Sequence, residues 1–321
     1  DRSLTEAVAA LIRNAHCNAE AALKMAWSAK ESWLFYTRQM GTLINEKRAL
    51  EEQLLRALER NEFTLHYQPK LALQTGAICS AEALLRWNSK DLGMVPPMRF
   101  VPLLEETGMI IEVGQWAMRQ AAADYRQLAK LGLQPPRLAV NVSAVQLRRP
   151  DFAETVRAAL TGEDGTFAGI DLEITESVLM ADVERYAGTL ESLRELGIAI
   201  AIDDFGTGYS SLAYLNKLPI AAIKIDRSFV VQMAYSADTM NIVSTIVTLA
   251  HSLNLKVIAE GVDTEEQLKF LRLLRCDEMQ GFLFSKAVPV SEFAQLLRDN
   301  RGLSQAQHMG HLRADRRGAR S

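Results

Sequence analysis

The chain is short of the features that mark several protein classes. Cysteine occurs three times in 321 residues, at Cys17, Cys79 and Cys276, without the paired spacing of a zinc or redox motif. Sparse, unpaired thiols suit a reducing compartment, so a cytoplasmic location is expected. No stretch approaches the roughly 20 apolar residues of a membrane span, and Asp1-Arg2-Ser3 is neither an initiator methionine nor a signal peptide. The expectation is a fragment of a longer protein, with membrane anchorage of that parent left open. A dominant charge is missing too: Lys+Arg number 36 against Asp+Glu 39, a net charge of −3. No global basic field exists for polymeric nucleic acid or an acidic membrane. Hydrophobic residues reach 48%, too many for a disordered chain. What remains is a globular protein whose nucleotide partner, if it has one, is small.

What is present divides the chain. Residues 1–45 are rich in Ala, Leu, Glu, Lys and Arg, and no proline precedes Pro69, so a helical segment is expected there. A connector helix over 46–60 places Leu50, Leu54, Leu55 and Leu58 on one face. From 61 to 300, β-prone runs at 63–68, 77–85, 137–142, 169–174, 198–203, 221–225, 255–260 and 279–284 alternate with helical stretches near 98–107, 112–131, 183–196, 236–253 and 264–274. Eight strands in about 240 residues fit a (β/α)8 barrel better than a doubly wound sheet. Residues 301–321 carry five arginines and read as a disordered basic tail.

The chemistry lies in what interrupts or ends each apolar strand. Glu82, Asn141, Glu173, Asp203 with Asp204, Lys224, Glu260 and Gln280 occupy such positions in seven different strands. In a barrel these positions converge on the C-terminal mouth, where active sites of the fold are built. One acid at a strand end is commonly a helix cap; seven polar strand ends together are harder to explain that way. Carboxylates crowded at one mouth raise each other's pKa values unless cations neutralise them. His66 sits mid-strand, His251 on a helix, and His16, His308 and His311 outside the barrel, so hard oxygen ligands without imidazole point to Mg2+ or Mn2+. Lys224, the one cation expected in this ring, suits phosphoryl chemistry better than a Schiff base, because surrounding acids keep it protonated. Other strings mislead. Asp204-Phe205-Gly206 spells a kinase metal motif without the catalytic loop that should precede it.

A set of motifs spread over residues 50–300 is more specific than any of these alone. It comprises Tyr67-Gln68-Pro69, Glu82-Ala83-Leu84, Glu105-Glu106-Thr107-Gly108, Asn141-Val142-Ser143, Glu173-Ile174-Thr175-Glu176, Asp203 to Ser211, Lys224-Ile225-Asp226, Ala259-Glu260-Gly261-Val262 and Gln280-Gly281-Phe282. The chain resembles the EAL cyclic-di-GMP phosphodiesterases. That resemblance implies a modified (β/α)8 TIM-like barrel whose first strand is antiparallel to the rest, hydrolysing cyclic di-GMP to linear pGpG with Mg2+ or Mn2+. It implies Glu82, Asn141, Glu173, Asp203 and Asp204 as metal ligands. Lys224 and Glu260 would handle the attacking water, with Asp204 also counted among the catalytic residues. Gln68, Leu84, Arg86, Asn141 and Gln280 would contact substrate, and Glu176 would anchor the Asp204–Ser211 loop. Asp263 stands where the family commonly has Glu. Ca2+ is expected to occupy the same oxygens and impair catalysis.

Leu11 to Ala15 and Phe35-Tyr36-Thr37 resemble the end of a GGDEF cyclase domain, whose signature loop the chain lacks. A homodimer and an upstream regulatory domain in the parent protein are expected partners besides cyclic di-GMP. A receptor that binds cyclic di-GMP without turnover is the alternative reading, which the intact Glu82, Lys224 and Glu260 disfavour.

Overall fold

The computed structural model describes residues 37–208 and 215–299, with scattered positions between 15 and 35 and Gly302. Most of the expected 1–45 helical segment, Tyr209 to Ser211 of the glycine loop and the basic tail therefore lie outside the described residues.

Among the described residues ten strands follow one another: β1 (Phe63–Ala72), β2 (Ile78–Ser89), β3 (Gly93–Val95), β4 (Arg137–Val142), β5 (Ile170–Thr175), β6 (Ile200–Phe205), β7 (Ala222–Ile225), β8 (Lys256–Glu260), β9 (Glu278–Gln280) and β10 (Val288–Pro289). Eight of them close a barrel in the order β1-β9-β8-β7-β6-β5-β4-β2, with β2 pairing back onto β1. Pairings from β2 through β4 to β9 are parallel. β1 is antiparallel to both of its barrel neighbours. The fold is thus a TIM-like (β/α)8 barrel with its first strand reversed. The short β3 and β10 extend β2 and β1 at the periphery.

Period-two alternation divides each strand between the barrel interior and the helical layer. In β5, Leu172 and Ile174 are fully buried against the helices. Glu173, between them, points inward. Ile200 and Ile202, then Ile223 and Ile225, repeat the pattern on β6 and β7. A second apolar cluster forms where the helix Arg38–Ala57 meets the barrel: Leu50, Leu54 and Ala57 pack with Phe63, Trp87, Phe100 and Leu104. Leu55 does not join this face as expected and is 56% exposed. The buried positions recur as i, i+4, i+7, and Leu55 is turned about 100° from Leu54. Among the described residues no helix is long and apolar enough to cross a membrane.

The eighth barrel strand is shorter than the expected 279–284, ending at Gln280. A Cβ on Gly281 would lie 2.1 Å from the Val262 carbonyl oxygen. The chain crosses the Val262 backbone there, donating from Val262 N to Gln280 O at 3.1 Å and from Leu283 N to Val262 O at 3.1 Å. Those bonds turn 281–284 out of the sheet. The short helices Phe152–Leu160, Glu176–Ala181 and Arg227–Gln232 were not anticipated from periodicity, since one or two turns leave little repeat to detect.

Candidate functional site

The inward polar residues of all eight barrel strands meet at one mouth of the barrel. Gln68 and Glu82 face each other across the β1–β2 ladder, and Asn141 stands beside Glu173 across β4–β5. Asn141 Nδ2 donates to Glu82 Oε1 at 2.6 Å. Gln280 Nε2 donates to Glu82 Oε2 at 2.7 Å and to Gln68 Oε1 at 3.0 Å. Lys224, fully buried, reaches Glu260 at 2.6 Å, Asp203 at 3.0 Å and Glu82 at 3.5 Å, and also pairs with Glu173.

Lys224 is not the sole cation, as the sequence reading held. Lys70 on β1 is 2% exposed and pairs with Glu173. Its signal was the spacing from Gln68: residues two apart on a strand share a face. Pro69 between them masked the strand's continuity.

Adjacent strand residues ordinarily point to opposite faces, yet Asp203 and Asp204 both turn to the mouth. The β6–β7 register shifts between Ile202 and Phe205, and Asp204 adopts φ +54°, a conformation sparse for a non-glycine residue. This bulge re-aims the second carboxylate. Asp203 Oδ1 accepts from Asp204 N at 2.9 Å. The turn continues through Gly206, φ +100°, whose N donates 2.8 Å to Glu176 Oε2. Glu176 is 1% exposed, so one buried carboxylate ties the start of the loop to β5.

Charge decides what the cluster can do. Glu82, Glu173 and Asp203 offer oxygens within 4.8 Å of one another, as do Asp203, Asp204 and Glu260. Five carboxylates thus confront two ammonium groups, and Asp203 belongs to both triads. Burial works to raise the Glu82 carboxyl, but Lys224, Lys70 and the amides of Gln280 and Asn141 outweigh it and hold Glu82 at about 2. For Glu173 burial wins over both lysines, and the carboxyl lies above its ordinary value. Burial, offset only in part by Lys224 and reinforced by Asp203 and Glu82, pushes Glu260 up to about 8. Asp204 is raised by burial and then by Asp203 and Asp226. Burial opposes the Lys224 charge, but Glu173, Glu82, Glu260 and Asp203 raise it well above its ordinary value. The remaining negative charge, carried wholly by oxygen donors, fits a hard divalent cation.

Two clefts flank the carboxylates and share Leu84 and Asp203. The larger, about 340 Å3, runs from Asn141, Asp203 and Asp204 past Arg86 to Glu105, with apolar walls from Val101, Ile110 and Val113. The smaller, about 250 Å3, is bounded by Gln68, Gln280, Arg227 and Phe282. Arg86 lines the larger cleft within electrostatic reach of Glu82, its Nη1 donating to Leu85 O at 2.9 Å. Asp263 braces the second cleft, pairing with Arg227 at 2.9 Å and accepting from Phe282 N at 3.0 Å. Phe282 is 53% exposed, with Arg227 6.0 Å and Lys286 5.4 Å from its ring centre. Neither Arg227 nor Phe282 was marked as a site residue from sequence. Both lie just past a strand end, the position that singled out the acids.

A model of the EAL domain family matches residues 51–287. The chain belongs to this family. NbdA of Pseudomonas aeruginosa, named a cyclic di-GMP phosphodiesterase, is 42% identical over 264 residues, covering 82% of this chain and 34% of that protein. MucR of the same organism, named a bifunctional diguanylate cyclase/cyclic di-GMP phosphodiesterase, is 40% identical over 276 residues, 86% of this chain and 40% of that protein. The chain therefore spans between about a third and two-fifths of these relatives' length. Among solved structures, the PaMucR phosphodiesterase in its c-di-GMP complex superposes with a TM-score of 0.73 at 42% identity, covering 76% of this chain and 99% of that one. The cGMP-bound EAL enzyme Bd1971 superposes with a TM-score of 0.75 at 37% identity, covering 80% of this chain and 71% of that one.

Proposed function

We propose that this EAL domain is a metal-dependent phosphodiesterase that adds water to one phosphodiester of cyclic di-GMP, giving linear 5′-pGpG. The observation that carries the reading is the pair of carboxylate triads sharing Asp203, with Lys224 bonded into both. The names of NbdA and MucR and the c-di-GMP held by PaMucR support it.

Glu82, Asn141, Glu173, Asp203 and Asp204 would hold Mg2+ or Mn2+, with Glu260 closing the second triad. When bound, the ions supply positive charge against the phosphate and make water more acidic. The protein's own groups do the rest. Lys224 keeps its proton among four carboxylates, so it acts as a fixed positive charge that orients the attacking water and balances charge developing on phosphorus. Glu260, 2.6 Å from Lys224 on the rim of the cluster, is placed to accept the water proton. Water forms the new P–O bond, the P–O3′ bond breaks, and the departing oxygen takes up a proton. Gln68, Leu84, Arg86, Asn141 and Gln280 hold the substrate over the cluster. Glu176, through Gly206 N, keeps the loop carrying Asp204 in place. Ca2+ would be held by the same oxygens, and its looser coordination is expected to inhibit.

The relatives' extra length supports a further domain as regulator of this barrel. The chemistry is tested by a chromatographic time course with cyclic di-GMP and Mg2+, run beside Glu82→Ala. The expected result is pGpG from the wild type and none from the variant. Tight binding without product would move the chain to the receptor class.

A further inference from the structure

Lys70 has no role in the chemistry above, yet it lies directly beneath it. On β1, Gln68 and Lys70 share the face turned into the barrel, as residues two apart on a strand do. Gln68 lies across the ladder from Glu82, whereas Lys70 lies across from Ser80, one step further from the mouth. Lys70 is 2% exposed, too deep to meet a substrate entering from the mouth. Glu173 is the one carboxylate it pairs with among the described residues.

The two oxygens of Glu173 are divided between two lysines. Lys70 Nζ donates to Oε1 and Lys224 Nζ donates to Oε2. Glu82 is held in the same manner, Asn141 Nδ2 donating to its Oε1 at 2.6 Å and Gln280 Nε2 to its Oε2 at 2.7 Å. Each buried glutamate is therefore tied by donors on two other strands, β1 and β7 for Glu173, β4 and β9 for Glu82. Turning both Glu173 oxygens toward one ion would break a charge-assisted hydrogen bond and leave the Lys70 ammonium buried without a partner. Divalent ions differ in how much this matters. Mg2+ demands near-ideal octahedral geometry and keeps several waters, so single carboxylate oxygens suffice; Ca2+ collects about six to eight oxygens and often chelates a carboxylate through both.

Resting on the metal-dependent phosphodiesterase reading, we infer that Lys70 is a positioning residue that selects the ion. By holding Glu173 Oε1 it leaves Glu173 a single oxygen for a metal, which suits Mg2+ or Mn2+ and handicaps Ca2+. It acts through Glu173 and not on the substrate.

The test is calorimetric titration of metal-free protein with MgCl2 and with CaCl2, for the wild type and for Lys70→Met. Loss of a buried positive charge draws in both ions alike, but only Ca2+ profits from the second Glu173 oxygen. Groups that hold a metal ligand in place commonly change metal affinity about 10- to 100-fold, so in Lys70→Met the gain for Ca2+ should exceed that for Mg2+ by at least about 10-fold. A residue that only packs, or only supplies charge, shifts both ions by one factor, and that result overturns the proposal. Should Lys70→Met not fold without metal, the wild type carries the test. A crystal structure of the Ca2+-loaded protein is expected to show Lys70 still on Glu173 Oε1 and one Glu173 oxygen on the ion. Glu173 chelating Ca2+ through both oxygens, with Lys70 released, overturns the proposal. Selective ion binding as expected but no pGpG from cyclic di-GMP would overturn the phosphodiesterase reading alone. Turnover with Mg2+ beside an unchanged ratio of Ca2+ to Mg2+ affinity in the variant would overturn only the role of Lys70. Binding of neither ion by the wild type would overturn both.

Discussion

Removing Lys70 should expose how much of the site's stability rests on charge compensation. Lys70 and Glu173 are both nearly fully buried and paired, and Glu173 already lies above its ordinary carboxylate value despite two lysines. Replacing Lys70 by Met fills the space but leaves five carboxylates facing Lys224 alone. Breaking one side of a buried pair costs about 3–5 kcal/mol, since the partner charge stays desolvated. Urea unfolding in EDTA near pH 7 should therefore put Lys70→Met about 3–5 kcal/mol below the wild type. Two conditions should shrink the gap. Millimolar Mg2+ supplies the missing charge and binds only the folded protein, stabilising the variant by mass action. Acid does so as well: Glu173 in the variant protonates at higher pH than in the wild type, so the cost falls as pH drops. A gap under about 1 kcal/mol in EDTA, or one equally large with and without Mg2+, would refute the charge account.

Other consequences can be read in similar experiments. In metal-free protein, Glu260 near 8 lies above its ordinary 4.5, so the folded state holds this proton more tightly. That stabilisation is complete below pH 4.5 and is lost as pH rises to about 8. Glu260→Gln should flatten the decline in EDTA, and an unchanged slope would contradict the assignment. Glu82, held at about 2, runs the opposite way, its contribution present at neutral pH and lost as pH falls through that value. Gly206→Ala, with φ +100° and a Cβ placed 2.9 Å from the Phe229 ring, should cost about 1–3 kcal/mol in thermal unfolding and slow turnover by displacing Asp204; wild-type values of both would contradict this. Leu54→Ala, fully buried where the N-terminal helix docks, should cost about 2–5 kcal/mol in urea unfolding, and a loss under about 1 kcal/mol would contradict that docking.

The acids were legible because a closed barrel turns a one-dimensional regularity, one polar residue at each strand end, into a three-dimensional cluster. Glu82, Glu173, Asp203 and Glu260 needed no more than strand positions to be gathered. Lys70 was not legible because it lies within a strand and behind a proline. That Asp203 and Asp204 both face the mouth depends on a bulge and a left-handed residue, which period-two alternation does not foretell. Leu55 was misassigned because a helix this amphipathic has apolar residues on both borders of its stripe. The two clefts were invisible for a different reason. Their walls come from Val101, Glu105, Arg227 and Phe282, whose proximity to the mouth is set by where helices and turns pack after the strands end.

The central claim is that water, activated among these carboxylates, opens a phosphodiester at phosphorus. Hydrolysis of cyclic di-GMP in 18O-labelled water with Mg2+ tests it most directly. The account predicts pGpG carrying one 18O in its terminal 5′-phosphate per turnover, none without a divalent ion, and none with Glu82→Ala. Product whose 5′-phosphate carries no label, or labelled product formed equally well in EDTA, would contradict it.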